Sequence, residues 1–206
     1  MKCKDDEIIS LMLQPNSSEK GLRAMMDTYQ SRLYWHIRRL IVQHDLAQDV
    51  LQDTFIKAYN NFGQFKQDSK LYTWLYRIAT NEALQQLAKL KKMQKTDEDA
   101  EYYMQNLVAQ NAEHDAEEIQ VLLQKAIQTL PEKQKLVFNI RYYDELPFEE
   151  ISNILEMSVS TCKTNYHYAK EKIENYYEWC LANYYTLTYS QDRIKEHKAM
   201  AMEYLS

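Results

Sequence analysis

Glycine and proline are scarce in this chain, which has two glycines and three prolines among its 206 residues. A many-stranded all-β protein needs far more turn-forming residues than this. Stretches rich in Leu, Ala, Gln, Glu and Lys, which favour helices, fill much of the sequence instead. We therefore predict an all-α fold, and we interpret the chain length as two small helical domains.

Cysteines and long apolar runs are scarce as well. Cys3, Cys162 and Cys180 are odd in number and lack CxxC spacing, which argues against a disulfide framework and against a structural zinc site. No stretch approaches the roughly 18 apolar residues of a membrane span, and Met1–Glu7 leads into no signal-like apolar core. These absences predict free thiols and a cytoplasmic protein with no membrane insertion.

Sequence motifs of catalysis are missing too. The chain has no Gly-rich phosphate loop, no HExxH and no GxSxG, and its five histidines are scattered. We therefore predict a protein that is not an enzyme, with no catalytic residue, no metal and no cofactor. An enzyme acting on nucleic acid stays a distant alternative, which metal-dependent turnover would reveal.

Charge is unevenly distributed along the chain, whose net charge is −5. Residues 20–95 carry 13 Lys and Arg against 6 Asp and Glu, a balance of +7. Residues 96–120 carry 8 acids and no Lys or Arg. The first segment therefore has a net-positive field suited to a polyanion, although the whole chain is acidic.

The N-terminal block, residues 5–95, has the hydrophobic periodicity of four helices. An amphipathic segment at 8–12 is broken at Pro15, and a core-facing stripe then runs from Leu22 to Ile41. Two further helices are predicted at 47–60, with Ile56 facing inward, and at 70–92. Gly63 marks the turn between them.

Aromatic, amide and basic side chains are concentrated between Asn60 and Asn81. Tyr72, Tyr76 and Arg77 cannot all face inward on a helix that also buries Leu75 and Ile78, so part of this set should be exposed. Exposed aromatics beside lysines and arginines favour a groove for single-stranded nucleic acid. Trp74 alone is more typical of a core residue.

The C-terminal block has the pattern of a helix-turn-helix. Helices are predicted at 119–129, 131–143, 147–156 and 159–177, with Pro131 and Pro147 in first turns. The last helix has an apolar face, and its outward positions suit a major groove. These positions are Lys163, Thr164, His167, Tyr168 and Lys170. A helical interaction module with a merely solvated second helix is the alternative.

The two blocks, in this order and with an acidic linker between them, resemble the extracytoplasmic-function group of bacterial RNA polymerase sigma factors. The resemblance covers about residues 5–175. Its most specific part is Asp49–Tyr59 (DVLQDTFIKAY), which is similar to the region 2 helix that docks on the clamp helices of the polymerase's largest subunit. Tyr72–Asn81 (YTWLYRIATN) is similar to the promoter-melting helix, and Leu130–Glu132 and Glu149–Ile151 match the region 4 pattern.

The resemblance implies a domain plan and three groups of site residues. Region 2 would span 5–95, the linker 96–118, region 4 119–175 and a C-terminal extension 176–206. The implied polymerase-binding residues are Asp49, Gln52 and Asp53. The implied −10 DNA residues are Lys57, Asn61, Phe65, Trp74, Tyr76, Arg77 and Asn81, with Asn61, Phe65 and Asn81 around a base flipped from the non-template strand. The outward positions of the last helix would recognise the −35 element.

The resemblance also implies binding partners, and the sequence departs from the family pattern at several positions. Core RNA polymerase and promoter DNA are the expected partners, and an anti-sigma factor is an open one. Cys162 stands where valine is usual, and Asn165 and Tyr168 replace commonly basic positions. Residues 121–172 carry 7 basic and 7 acidic residues, so −35 binding by the isolated protein should be weak.

Three hypotheses stay open at this point. Besides an initiation factor, the chain fits a helix-turn-helix regulator that never recruits polymerase, or a polymerase or anti-sigma interaction protein without initiation activity. The linker at 96–118, typical of a solvated charge run, could instead fold over the basic block and inhibit it. The aromatic-rich extension at 176–206 is expected to pack on region 4 as a further helix, with a partner-binding site as the alternative.

Overall fold

A computed structural model describes residues 2–14, 16–41, 43–93 and 115–180. All regular secondary structure within these ranges is helical, which confirms the predicted all-α fold. In chain order the α-helices are α1 (Lys2–Leu13), α2 (Ser18–Leu40), α3 (His44–Asn60), α4 (Leu71–Met93), α5 (Asp115–Thr129), α6 (Glu132–Tyr142), α7 (Phe148–Leu155) and α8 (Val159–Cys180). A search of the described helices finds none long and apolar enough to cross a membrane.

Helices α1 to α4 pack around a common core. The side chains that line this core recur every three to four residues along the helices. In α2 the side chains of Met25, Tyr29, Leu33 and Ile37 are fully buried, which matches one face of a helix with 3.6 residues per turn. Helices α3 and α4 present equivalent stripes. Their buried positions are Val50, Phe55 and Ala58 in α3, and Leu71, Leu75, Ala79 and Ala83 in α4.

Gly21 allows α1 and α2 to approach closely. A Cβ atom at this position would stand 2.8 Å from both the backbone nitrogen and the Cγ of Met12. The glycine is therefore required by the helix contact. The other glycine, Gly63, lies in a 3₁₀ turn at Phe62–Gln64 and confirms the turn predicted between α3 and α4.

The first compact unit also includes a segment from much later in the chain. It joins Met1–Thr96 with Tyr143–Val159, so that α7, the first helix of the helix-turn-helix, packs against α4. The sequence-based domain plan, which divides the chain into 5–95 and 119–175, did not anticipate this grouping. Helix α7 ends at Leu155 and is capped by Glu156, which adopts the left-handed conformation (φ 53°). Ser152 Oγ donates to the Met157 carbonyl at 2.5 Å.

The second compact unit contains α5, α6 and most of α8. The ring of Phe138 in α6 stacks on Tyr142 (centroids 5.2 Å apart) and on Tyr166 of α8 (5.8 Å). The predicted apolar face of the last helix is confirmed at Cys162, Ala169 and Ile173, which are fully buried.

Several predictions on boundaries need adjustment or fall outside the described residues. Helix α3 begins at His44, three residues before the predicted start, and Pro147 caps α7 instead of lying in its first turn. Of the predicted linker, residues 115–118 belong to α5. The rest of the linker, with its proposed inhibitory fold, and the extension beyond residue 180 lie outside the described residues.

Candidate nucleic-acid interface

The implied polymerase-binding residues lie together on the solvent side of α3. Asp49, Gln52 and Asp53 are all exposed, because Val50, Thr54 and Ala58 occupy the buried side. Among the described residues, no ion pair involves either carboxylate. We call this set the α3 face.

Ile56 belongs to the α3 face, and its predicted inward orientation is wrong. Its side chain is 49% exposed. At about 100° per residue, position 56 falls between Gln52 and Asp53 on the helical circumference, opposite the buried stripe. Helical register was the signal that could have identified it, since adjacency to buried Phe55 says little about direction. An apolar centre with a polar rim is typical of a protein-binding surface.

Phe65 and Trp74 form an aromatic cluster with Phe62. The ring centroids lie 5.2 Å apart for Phe65 and Trp74, 5.8 Å for Phe62 and Trp74, and 5.7 Å for Phe62 and Phe65. Phe65 is only 9% exposed and Trp74 only 7%. Both side chains therefore help to pack the N-terminal unit, whatever contact their ring edges make with a ligand.

A cleft of about 380 Å³ lies beside this cluster. The segment Gln64–Ser69 forms one side of it, together with Thr73, Trp74 and Arg77 of α4. Asn153 of α7 completes the lining. The structure thus brings three of the sequence-predicted −10 residues, Phe65, Trp74 and Arg77, into one cleft, whereas Asn61 and Asn81 do not line it.

Three of the implied −10 residues are exposed: Lys57 on α3, Asn61 at the end of α3, and Asn81 on α4. Asn61 Nδ2 donates to the Lys57 carbonyl (2.9 Å), so its side chain also closes the last turn of α3. Lys57 Nζ bonds to Glu82 at 2.5 Å and links α3 to α4 one residue after Asn81. These three positions are accessible to a polar ligand.

The side chain of Tyr76, one of the implied −10 DNA residues, is fully buried. Its ring lies 4.8 Å from that of His36, and its hydroxyl donates to Asp144 at 3.3 Å. Burial, with the nearby Asp144 charge, raises the pKa of the Tyr76 hydroxyl above its ordinary value. The sequence analysis expected only part of the set Tyr72, Tyr76 and Arg77 to be exposed, and the local pattern gave no sign of a Tyr76 partner 68 residues away in the chain.

A polar network around His36 holds this part of the unit together. His36 Nδ1 donates to Asp144 (3.2 Å), its Nε2 pairs with Thr80 Oγ1 (2.9 Å), and Arg39 donates to Asp144 at 2.9 Å. Burial alone would raise the pKa of Asp144, but the hydrogen bonds and charges of His36 and Arg39 hold that pKa below its ordinary value. Asp144 is therefore an ionised anchor for the segment that leads into α7.

Glu150 of α7 forms a second anchor on α4. Its carboxylate accepts from Lys70 Nζ at 2.6 Å and from the hydroxyl of buried Thr73. Burial would raise the pKa of Glu150, but hydrogen bonds from Lys70, Thr73 and Tyr72 hold that pKa below its usual value. A looser pair joins Arg77 to Glu156 at 3.7 Å.

The predicted recognition positions of α8 share one accessible face. Lys163, Thr164, His167 and Tyr168 are exposed, and Lys170 is half-buried. The rings of His167 and Tyr168 lie 5.8 Å apart. This face lies opposite the buried stripe of Cys162, Ala169 and Ile173, as a helix that docks with one side and recognises with the other requires.

Two family models match the chain, one in its N-terminal half and one in its C-terminal half. Residues 25–93 match the family model for Sigma-70 region 2. Residues 120–173 match the model for Sigma-70 region 4. The first match contains α3 and α4, and the second contains the helix-turn-helix.

Curated relatives share these regions over most of their length. The RNA polymerase sigma-H factor of Pseudomonas aeruginosa is 34% identical over 155 residues, which cover 71% of this chain and 80% of the relative. The ECF RNA polymerase sigma factor SigW of Bacillus subtilis is 33% identical over 158 residues (72% and 84%). The ECF RNA polymerase sigma-E factor of Escherichia coli is 30% identical over 185 residues (82% and 93%).

Two solved structures share the fold. The sigma factor RpoE, in complex with the anti-sigma factor NepR from Bartonella quintana, aligns with a TM-score of 0.59 at 20% identity, over 77% of this chain and 98% of that one. CnrH, in complex with the cytosolic domain of CnrY, aligns with a TM-score of 0.60 at 16% identity, over 84% and 96%.

Proposed function

The chain belongs to the extracytoplasmic-function group of sigma factors, which direct core RNA polymerase to promoters, and we propose how its surfaces divide that work. The α3 face binds polymerase, α4 and the Asn61–Ser69 loop bind the opened −10 strand, and α8 binds the −35 element. The observation that carries the proposal is that three separate accessible surfaces lie within the two matched sigma regions. The protein would act in the cytoplasm and perform no covalent chemistry itself.

The polymerase contact rests on the α3 face. Asp49, Gln52 and Asp53 supply a polar rim around the exposed Ile56 side chain. Carboxylates on a rim steer and orient a basic partner, and a buried apolar centre supplies affinity. We therefore add Ile56 to the three residues implied by the sequence.

The −10 contact combines a cleft with accessible polar groups. Arg77, half-exposed at the cleft, is placed to meet phosphate, and the edges of Phe65 and Trp74 offer apolar surface there. Lys57, Asn61 and Asn81 supply charge and amide groups outside the cleft. Tyr76 would support α4 from inside the core instead of contacting the strand.

The −35 contact rests on the exposed face of α8. Lys163 and Thr164 can bond to phosphates or bases, and His167 and Tyr168 add hydrogen bonding and apolar contact. The neutral charge balance of this region makes polymerase tethering important for affinity. An anti-sigma factor, like NepR in the related RpoE structure, is a further proposed partner.

The experiment that tests the function is transcription by core polymerase with and without this protein on genomic templates, followed by sequencing of the transcript starts. We expect new starts that share −10 and −35 elements. Polymerase binding without any new start would favour the interaction-protein hypothesis, and tight promoter binding without polymerase would favour the helix-turn-helix regulator.

A further inference from the structure

We propose that Glu82 is a positioning residue that holds Lys57 in place for a backbone phosphate of the −10 strand. This inference rests on the proposed function, in which Lys57 contacts that strand, and it adds a residue that no sequence motif singled out. Lys57 Nζ donates to Glu82 Oε1 at 2.5 Å and links the last turns of α3 to α4. Glu82 acts through the ammonium group of Lys57 and needs no contact with DNA of its own.

The two side chains of this pair differ in exposure. Lys57 is 47% exposed, whereas Glu82 is only 12% exposed. The carboxylate is therefore set back from the solvent, and the cation is accessible to an arriving strand. Because an ammonium group has three donors, Lys57 can keep its bond to Glu82 and donate to a phosphate at the same time.

Fold stability does not account for this pair. An ion pair with one partner this exposed contributes little to folding, because water screens the charges and the long lysine side chain loses rotamer freedom. Within the described residues, Lys57 Nζ and the Glu82 carboxylate have no other hydrogen-bond partner. A lysine that is already held does not have to be ordered when a ligand binds, so the same bond favours a phosphate contact.

Lys57 is also tied to two of the amides implied around the flipped base. Asn61 Nδ2 donates to the Lys57 carbonyl at 2.9 Å, and this bond fixes the backbone of Lys57. Asn81 directly precedes Glu82 in α4 and is exposed. Glu82 thus holds the cation at a set position relative to both amides, which suits a strand that places a base at the amides and a phosphate at Lys57.

The affinity of the holoenzyme for a single-stranded oligonucleotide tests the proposal. The oligonucleotide carries the −10 element of a promoter transcribed with this protein, and core polymerase is saturating, so that polymerase affinity does not affect the result. Glu82→Ala should weaken binding about fivefold at about 0.15 M salt, because Lys57 must then be ordered on binding. Glu82→Gln keeps an oxygen acceptor for Lys57 and should lose less. Asp27→Ala removes an acid from an exposed position of α2 and is the matched control with native affinity.

Salt dependence separates positioning from direct contact. Lys57→Met removes a phosphate contact and should reduce the slope of log K against log salt concentration by about 0.7. Glu82→Ala leaves the charge of Lys57 in place and should not reduce this slope. In a Lys57→Met background, Glu82→Ala should have no further effect, because Glu82 acts through Lys57. Circular dichroism verifies that each variant folds.

Two results would overturn the proposal. If Glu82→Ala bound the oligonucleotide as tightly as the native protein or more tightly, Glu82 would not position the cation, and tighter binding would show that it masks the Lys57 charge. A loss of the same size in the Lys57→Met background would show that Glu82 only supports the packing of α3 on α4. Failure of the proposed function is distinguishable, since it would appear as native affinity and native slope in Lys57→Met itself.

Discussion

The α3 face and the α4 surface belong to the same compact unit, yet they differ in occupancy. On α3, Asp49 and Asp53 are exposed and form no ion pair within the described residues. At the α4 surface, Lys70, which immediately precedes α4, and Arg77 each face a carboxylate of the segment Tyr143–Val159. The difference means that the α3 carboxylates are available to a basic partner, whereas these cations are already paired within the unit.

The largest expected effect is a loss of stability on substitution of Trp74, whose side chain packs in the core and also lines the cleft. Trp74→Ala removes a side chain that is only 7% exposed, so the free energy of unfolding should fall by about 3–5 kcal/mol. Trp74→Phe should cost clearly less and retain an aromatic edge. Denaturant unfolding of both variants checks this. An alanine variant as stable as the native protein would show that the aromatic cluster is not part of the core.

The second largest effect is expected for polymerase affinity when the α3 face is changed. Ile56→Glu or Asp53→Arg should weaken the affinity for core polymerase about ten- to thirtyfold, because one removes the apolar centre and the other reverses a rim charge. Fluorescence titration with labelled protein measures this. Asp27→Arg, a charge reversal at an exposed position of α2, is the matched control. Native affinity in both α3 variants would disprove the assigned docking surface.

A smaller effect is expected at Asn81, which is exposed on α4. Asn81→Ala should preserve the fold and polymerase affinity but reduce open-complex formation about tenfold or less, because it deletes one amide contact. Permanganate reactivity of thymines at the −10 element measures strand opening. Unchanged reactivity would remove Asn81 from the −10 site.

The smallest effect should come from pH. The pKa values of Asp144 and Glu150 are lowered from ordinary values of 3.8 and 4.5, so the ionised carboxylates stabilise the folded N-terminal unit. This contribution is complete above the ordinary values and is lost as pH falls through the lowered ones. The groups that face the carboxylates are His36, Arg39 and Tyr76 for Asp144, and Lys70, Tyr72 and Thr73 for Glu150. Denaturant unfolding at several pH values measures this: the free energy of unfolding should not respond to these carboxylates between pH 6 and 8, and its loss at pH 7 through their protonation would contradict the assignment.

The sequence predicted the helices well because their periodicity is local. The buried stripe of α2 and the exposed recognition positions of α8 both follow from 3.6 residues per turn. Gly63 marked the turn before α4 for a similarly local reason. Ile56 was misassigned, although the same helical register places it between Gln52 and Asp53.

Contacts between distant residues could not be predicted in this way. Asp144 binds His36 across 108 residues, and Glu150 binds Lys70 across 80. Nothing in the local pattern of α7 shows that its acids face α4. The buried position of Tyr76 depends on the same long-range network, so the local pattern could not show which members of the set Tyr72, Tyr76 and Arg77 are buried.

The most direct test of the central claim measures two variants, Asp53→Arg on the α3 face and Asn81→Ala on α4, both for polymerase affinity and for permanganate reactivity of the −10 thymines. We predict that Asp53→Arg weakens polymerase affinity, whereas Asn81→Ala leaves that affinity native and lowers thymine reactivity in the assembled complex. An equal loss of polymerase affinity in both variants, or native thymine reactivity with Asn81→Ala, would contradict the account.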